Sequence, residues 1–328
     1  MLVSDRSPVG IVLGSHMPPE RIAQTARRAE ELGFGELWFS EDCFFAGAFA
    51  GMAAALGATE RLPVGLGVGS AVTRHPALLA MECATLSRLY PGRFWPGIGL
   101  GVPFWLQQMG LMPRSPLGAV RECTVSLRRL FAGEQLTEQG LFDFDAVSLT
   151  HRPAEDLPMY LGMVGPKGLH LAGEIADGTV LSVLAGVAYV NWARERIAEG
   201  AAAAGRRGAP HRVATYVLYS VDHDGRAARE AVRKATAFYL TAMPDNALSD
   251  VYGIQPQLQE LLAAGALELE LPPAWLEDLV VAGDPEEVAA KIRALLEAGS
   301  NSVCLWLFPL DRGEDQLRLT AREVLPRI

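Results

Sequence analysis

The chain is 328 residues long, half of them hydrophobic and a fifth charged, an ordinary composition for a globular protein with a sizeable core. Its formal net charge of −9 argues against a nucleic-acid or anionic-membrane surface. Cys43, Cys83, Cys123 and Cys304 are scattered with no C-x-x-C pair, which excludes a disulfide framework or a cysteine zinc site and points to a reducing compartment.

Short apolar runs alternate with helical patterns from one end to the other. Residues 9–14 read as a strand, followed by a helix over 19–32 with Pro19 in its first turn and Ile22, Ala26, Ala29 and Leu32 at helical spacing. A strand at 37–40 leads to an alanine-rich helix at 51–58. The uncharged stretch 44–59 is too short to span a bilayer. A third strand at 64–68 and a helix at 76–89 follow, then a fourth strand at 94–99 and a helix at 117–131. The second half repeats the rhythm, with strands at 159–162, 179–183, 213–221 and 302–308 and helices at 167–175, 188–204 and 285–298. Eight strands alternating with helices predict a (β/α)8 TIM barrel as a single domain over 1–328. Two loop insertions are expected, a hairpin at 138–149 within 134–150 and a mostly helical segment at 245–279. With no signal-peptide layout at the amino terminus, a cytoplasmic protein is expected. The apolar insertion segments suggest a homodimer.

A doubly wound dinucleotide fold is the rival. The glycine runs Gly65-Leu-Gly67-Val-Gly69 and Gly97-Ile-Gly99-Leu-Gly101 do not complete G-x-G-x-x-G and do not run directly into a helix, so the rival is rejected. The histidines show no metal-binding spacing, and no metal is expected.

Three ordered segments carry a stronger signal. The first is Val64-Gly-Leu-Gly-Val-Gly-Ser-Ala-Val-Thr-Arg-His-Pro76, followed by Tyr90-Pro-Gly-Arg-Phe94 and Gly97-Ile-Gly-Leu-Gly101. The second is Pro158-Met-Tyr-Leu-Gly-Met-Val-Gly-Pro-Lys167, continuing to Ala176-Asp-Gly178, and the third is Gly283-Asp-Pro-Glu-Glu-Val288. Together they resemble the luciferase-like flavin and deazaflavin oxidoreductases over essentially the whole chain, nearest the branch of coenzyme F420-dependent methylene-tetrahydromethanopterin reductases. The resemblance implies a bacterial-luciferase-like barrel and coenzyme F420, with FMN as the alternative cofactor. It implies that Gly67, Val68, Gly69 and Ser70 form a bulge containing a non-proline cis peptide against the cofactor ring, with Gly99 nearby. It also implies that the turn Gly162, Met163, Val164, Gly165, Pro166, Lys167 and Gly168 receives the cofactor's phosphate-bearing tail. Free amides at a helix start, with Lys167 beside them, suit an anion there.

Departures from the family pattern shape the expected chemistry. Glu41-Asp42 ends the second strand where many relatives place a carboxylate and a histidine facing the ring, so Asp42, with Glu41 as competitor, is the candidate acid–base group. Val102 occupies the position of a glutamate in the sugar-phosphate dehydrogenase branch, and Val102, Pro103, Phe104 and Trp105 make an apolar wall. Sugar-phosphate oxidation is therefore rejected and a small apolar organic substrate expected. Phe44, Phe45, Tyr160 and Trp306 are aromatics of either the pocket or the core, and His75 is expected to set a helix corner. An FMN-dependent two-component monooxygenase and a non-catalytic flavin-binding protein remain the competing readings.

Overall fold

Apolar side chains at consecutive strand positions require a sheet buried on both faces, as in parallel α/β folds. The computed structural model describes residues 6–14, 17–242 and 246–328, apart from the side chain of Leu269. Its strands are β1 (Val9–Leu13), β2 (Leu37–Phe39), β3 (Val64–Leu66), β4 (Gly69–Ser70), β5 (Phe94–Trp95) and β6 (Gly97–Gly99), then β7 (Leu136–Glu138) and β8 (Phe144–Val147). β9 (Tyr160–Gly162), β10 (Gly178–Leu181), β11 (Arg212–Val221), β12 (Val281–Gly283) and β13 (Ser302–Leu307) complete the set. The main sheet runs β4-β6-β9-β10-β11-β13-β1-β2-β3-β5, with β12 beside the end of β11, and every pairing in it is parallel. β3 and β4 flank Gly67–Val68, and β5 and β6 flank Pro96. β3 pairs with β5 and β4 with β6, so the sheet curls.

All eight expected strands form, and so does the hairpin, as the antiparallel pair β7–β8. The expected helices are Pro19–Glu31, Ala48–Ala58, Pro76–Leu89, Pro116–Ala132, Pro166–Ile175, Val187–Ala203 and Pro285–Glu297. Proline supplies the first turn of most of them, where its missing N–H costs nothing. Asp284 closes a capping box with Glu287 on the last. The insertion holds helices Ala247–Asp250, Gln255–Ala263, Leu267–Glu270 and Pro273–Leu279. Its expected first residue, Asp245, lies outside the described residues. Helices Pro103–Gln108 and Gly225–Ala242 were not anticipated.

Alternation along each strand divides the core in two. Ile11, Leu13, Leu37, Phe39, Leu161, Val303 and Leu305 pack against the helices. Val12, Trp38, Tyr160, Val180, Tyr216, Cys304 and Trp306 point the other way, into a cluster that continues into Leu258, Trp275 and Leu276 of the insertion. At the N-terminal end of this inner cluster sits a buried carboxylate. Glu36, 3% exposed, pairs with Arg212 and accepts hydrogen bonds from Ser302 Oγ at 2.6 Å and Trp38 Nε1 at 2.8 Å. The Arg212 guanidinium lies over the Trp95 ring at 4.9 Å. Burial alone would raise the Glu36 pKa; the Arg212 charge and the converging donors outweigh it and hold the carboxyl below its usual value of 4.5.

Glu36→Gln leaves Arg212 buried without its counter-charge and should lower stability by roughly 3–5 kcal/mol at neutral pH. A carboxyl depressed in the folded state contributes fully above its unfolded pKa and loses that contribution as pH falls through its folded one. The melting-temperature gap between the wild type and Glu36→Gln should therefore narrow once the pH drops below 4.5.

Candidate functional site

Because the sheet is parallel, the C-terminal ends of its strands gather on one face, and the loops leaving them build whatever site the fold carries. Four such loops supply the sequence-predicted residues. Between β3 and β4 the Gly67–Val68 peptide is cis, as the resemblance implied; a second non-proline cis peptide, Cys43–Phe44, follows β2. Gly67, Gly69, Ser70 and Gly99 are buried, and Val68 keeps exposed surface. The neighbouring glycines make room for Val68: a Cβ on Gly99 would lie 2.6 Å from its Cγ2, and one on Gly162 2.7 Å from its Cγ1. The Tyr216 hydroxyl donates to the Gly67 carbonyl at 3.3 Å, and Ser70 Oγ donates to Leu100 O at 2.6 Å. The bulge is thus braced from inside the sheet and from the adjoining strand.

The two acidic residues after β2 part company. Glu41 is clamped by Arg74 through two hydrogen bonds of 2.8 and 2.5 Å, and Arg74 also reaches Glu82 at 3.3 Å. Its Oε2 takes the Ser70 amide at 3.4 Å. Asp42 instead accepts from Ser40 Oγ at 3.1 Å. Its charge reaches two phenols: burial raises the pKa of Tyr239, with Asp42 adding to it, and burial does the same for Tyr216, with Cys304, Glu36 and Asp42 adding. Tyr239 lies on the unanticipated helix Gly225–Ala242 and packs its ring edgewise on Trp306, centroids 6.0 Å apart.

The rim of this face is apolar. Phe44, Phe45 and Phe104 are 65, 59 and 62% exposed, and Phe45 meets Trp105 edgewise at 6.5 Å. No charged residue occurs between Phe94 and Pro113. Tyr160 and Trp306 belong to the inner core. His75 caps the helix Pro76–Leu89: Nδ1 accepts from the Ala77 amide at 3.2 Å and Nε2 lies 3.0 Å from Asp143 O.

After β9, residues 163–168 turn into the helix Pro166–Ile175, whose N-cap is Gly165 with no side-chain cap. A Cβ on Gly165 would meet nothing within 4 Å. Lys167 is exposed and has no ion-pair partner among the described residues. A cavity of about 530 Å³ lies elsewhere, lined by Arg128, Glu155 and Asp177 before the N-terminal ends of β9 and β10. Its arginine is committed to Asp177 at 2.6 Å.

Comparison with known proteins bears on this geometry. The family described as luciferase-like monooxygenase matches residues 1–302. The chain belongs to that family. A 5,10-methylenetetrahydromethanopterin reductase from Methanolobus tindarius is 26% identical over 317 residues, covering 94% of this chain and 96% of that protein. An F420-dependent glucose-6-phosphate dehydrogenase from Nakamurella multipartita is 29% identical over 330 residues, covering 94 and 93%. The structure of the coenzyme F420-dependent tetrahydromethanopterin reductase from Methanopyrus kandleri superposes with a TM-score of 0.86 at 27% identity, covering 98% of this chain and 99% of that one. Within this luciferase-like scaffold, the bracing partners Arg74 and Tyr216 escaped sequence reasoning. Arg74 lies 33 positions from Glu41, and nothing local announces the pair.

Removing the Arg74 clamp should cost stability. Arg74→Met leaves the mostly buried Glu41 carboxylate unpaired and should lower the unfolding free energy by roughly 1–3 kcal/mol in urea titration. Asp42→Asn should stay within roughly 0.5 kcal/mol of the wild type in the same assay.

Proposed function

We propose that this chain is a deazaflavin-dependent oxidoreductase acting on a small apolar organic substrate. In this reading one domain spans the chain and the curled sheet closes as a (β/α)8 barrel. The two ends of the strand order support closure, since β4-β6 and β3-β5 are halves of the same two interrupted strands.

The observation that carries the reading is one juxtaposition: Val68 beside Gly162, with the open turn at Gly165 directly following on β9. A planar ring resting on Val68 would have its phosphate-bearing tail led toward amides that have no side-chain cap. The residues present fit such a group, because the space a Gly165 side chain would fill is open. When bound, the deazaflavin supplies the hydride chemistry. The names of the relatives favour F420 over FMN.

The chain's own residues do the rest. Val68 and its glycine neighbours set the height of the ring platform. Lys167 offers a charge to the tail. Phe44, Phe45, Phe104 and Trp105 shed water and favour apolar substrate surface. Asp42, oriented by Ser40, holds or moves the proton that accompanies a change in substrate oxidation state. Glu41, committed to Arg74, is left a supporting role. Val102, 38% exposed on the rim, has no proton to give, which argues against sugar-phosphate oxidation.

Fluorescence titration tests the cofactor assignment: saturable deazaflavin binding tighter than FMN binding is expected, and saturable FMN binding without any deazaflavin binding would overturn it. Lys167→Ala should weaken the intact deazaflavin far more than an analogue truncated before its phosphate, by roughly 1.5–3 kcal/mol if the contact is partly desolvated. With substrate in hand, Asp42→Asn should lower turnover by roughly 10²–10⁴ at near-native cofactor affinity. An unchanged rate with an unchanged pH profile would remove Asp42 from the reaction.

A further inference from the structure

The turn at 163–168 is tied to the helical insertion by two tyrosines that no sequence motif marks. Tyr189, fully buried in the first turn of the helix Val187–Ala203, donates its hydroxyl to the Val164 carbonyl at 2.6 Å. It is further fixed by Trp192, with ring centroids 5.5 Å apart. The backbone amide of the same Tyr189 points at the hydroxyl of Tyr252, 3.4 Å away, and Tyr252 belongs to the insertion. Burial raises the Tyr252 phenol to about 12, so it stays a neutral hydroxyl at any working pH.

The contact is close on the backbone side too. A Cβ on Gly186 would lie 2.0 Å from the Asp278 carbonyl and 2.6 Å from the Tyr252 hydroxyl, so only glycine lets the insertion approach the loop after β10. Two residues earlier Leu184, buried in the inner core, takes a left-handed φ of 70°, a conformation a branched side chain rarely accepts. On its far side the insertion is clamped by Glu277, which reaches Arg229 at 2.6 Å and Lys291 at 2.8 Å. Tyr252 and Tyr189 therefore give the segment between these anchors a polar route to the turn.

We propose that Tyr189 is a positioning residue for the 163–168 turn and that Tyr252 makes the insertion part of the same support, so that occupancy of the turn and ordering of the insertion are coupled. This rests on reading the turn as the seat of the cofactor's phosphate-bearing tail. A hydroxyl holding the Val164 carbonyl fixes the direction in which the following amides point. A ligand that tightens the turn then tightens Tyr189, and through it the insertion that closes over the inner cluster.

The test compares intact deazaflavin with the analogue truncated before its phosphate, titrated by fluorescence, and follows amide hydrogen exchange across residues 247–263. Tyr189→Phe should weaken intact cofactor by roughly three- to tenfold, the effect of one lost buried hydrogen bond, and leave the truncated analogue within about twofold. Intact cofactor should slow exchange across 247–263 in the wild type and fail to do so in Tyr189→Phe. Tyr252→Phe, altered at a half-buried site that tolerates change better, should lose the same exchange response, and it decides the matter if Tyr189→Phe does not fold. Wild-type behaviour in both variants, or equal weakening of both ligands, overturns the coupling. If Lys167→Ala also fails to separate the two ligands, the reading of the turn falls with it; if Lys167→Ala separates them and the tyrosine variants do not, only the coupling falls.

Discussion

Trp38 and Tyr216 fill the inside of the sheet, and they fit there only because the wall beside them has no side chains. A Cβ on Gly65 would lie 2.3 Å from the Trp38 ring, and one on Gly67 would lie 1.7 Å from the Tyr216 hydroxyl. Trp95 and Tyr160 close around Trp38, at 5.9 and 5.0 Å between centroids. Below them the Glu36 carboxylate completes the packing, met by donors from three strands, Trp38, Arg212 and Ser302. With the inside of the curled sheet filled by these rings, the loops at the strand ends are left to shape a site. The same ring that fills the interior also reaches the wall at its mouth, where Tyr216 holds the Gly67 carbonyl. Core packing and site geometry are therefore one construction.

The alternation of apolar runs and proline-started helical patterns made most of the fold legible from sequence, because each element carries its own periodicity and its own start signal. The hairpin at β7–β8 was legible from its turn. The helix Gly225–Ala242 was missed because its buried positions, Ala228, Val232, Thr236, Ala237 and Leu240, are spread among five charged side chains and include small and polar residues. Pro103–Gln108 was missed because six residues are too few to show a period. Strand β12 is three residues long and hides between two helices.

The site was legible in part for a different reason. Segments such as the Val64–Leu66 strand and its following bulge are local, so motif and structure coincide. What holds those segments is not local. Arg74 reaches back to Glu41, and Tyr216 comes from a strand 149 positions beyond Gly67. The glycines also changed meaning. The resemblance implied Gly99 and Gly162 as cofactor-binding positions, and in the fold the space their side chains would take is occupied by Val68. The surface a ligand would meet is the valine that those glycines admit.

The neighbours Glu41 and Asp42 show how position sorts chemically similar groups. Successive residues leaving a strand point to opposite sides, so only one of the two can face the mouth. Glu41 turns toward the helix that starts at Pro76, where Arg74 neutralises it and carries its own charge onto the Phe49 ring at 5.1 Å. Asp42 accepts from Ser40, and its charge reaches two phenols whose burial keeps them protonated well past neutrality. The charge of Asp42 adds to that effect on both phenols, while the rim around it stays apolar. If Asp42 carries the proton as proposed, no second acid at Val102 would compete with it, and the aromatic rim would limit the water able to carry the proton away. A histidine in place of Asp42 would bring a positive charge or a neutral ring to the same place. Either way the carboxylate's negative charge would be lost from the loop after β2, while the fold that presents that position stays the same.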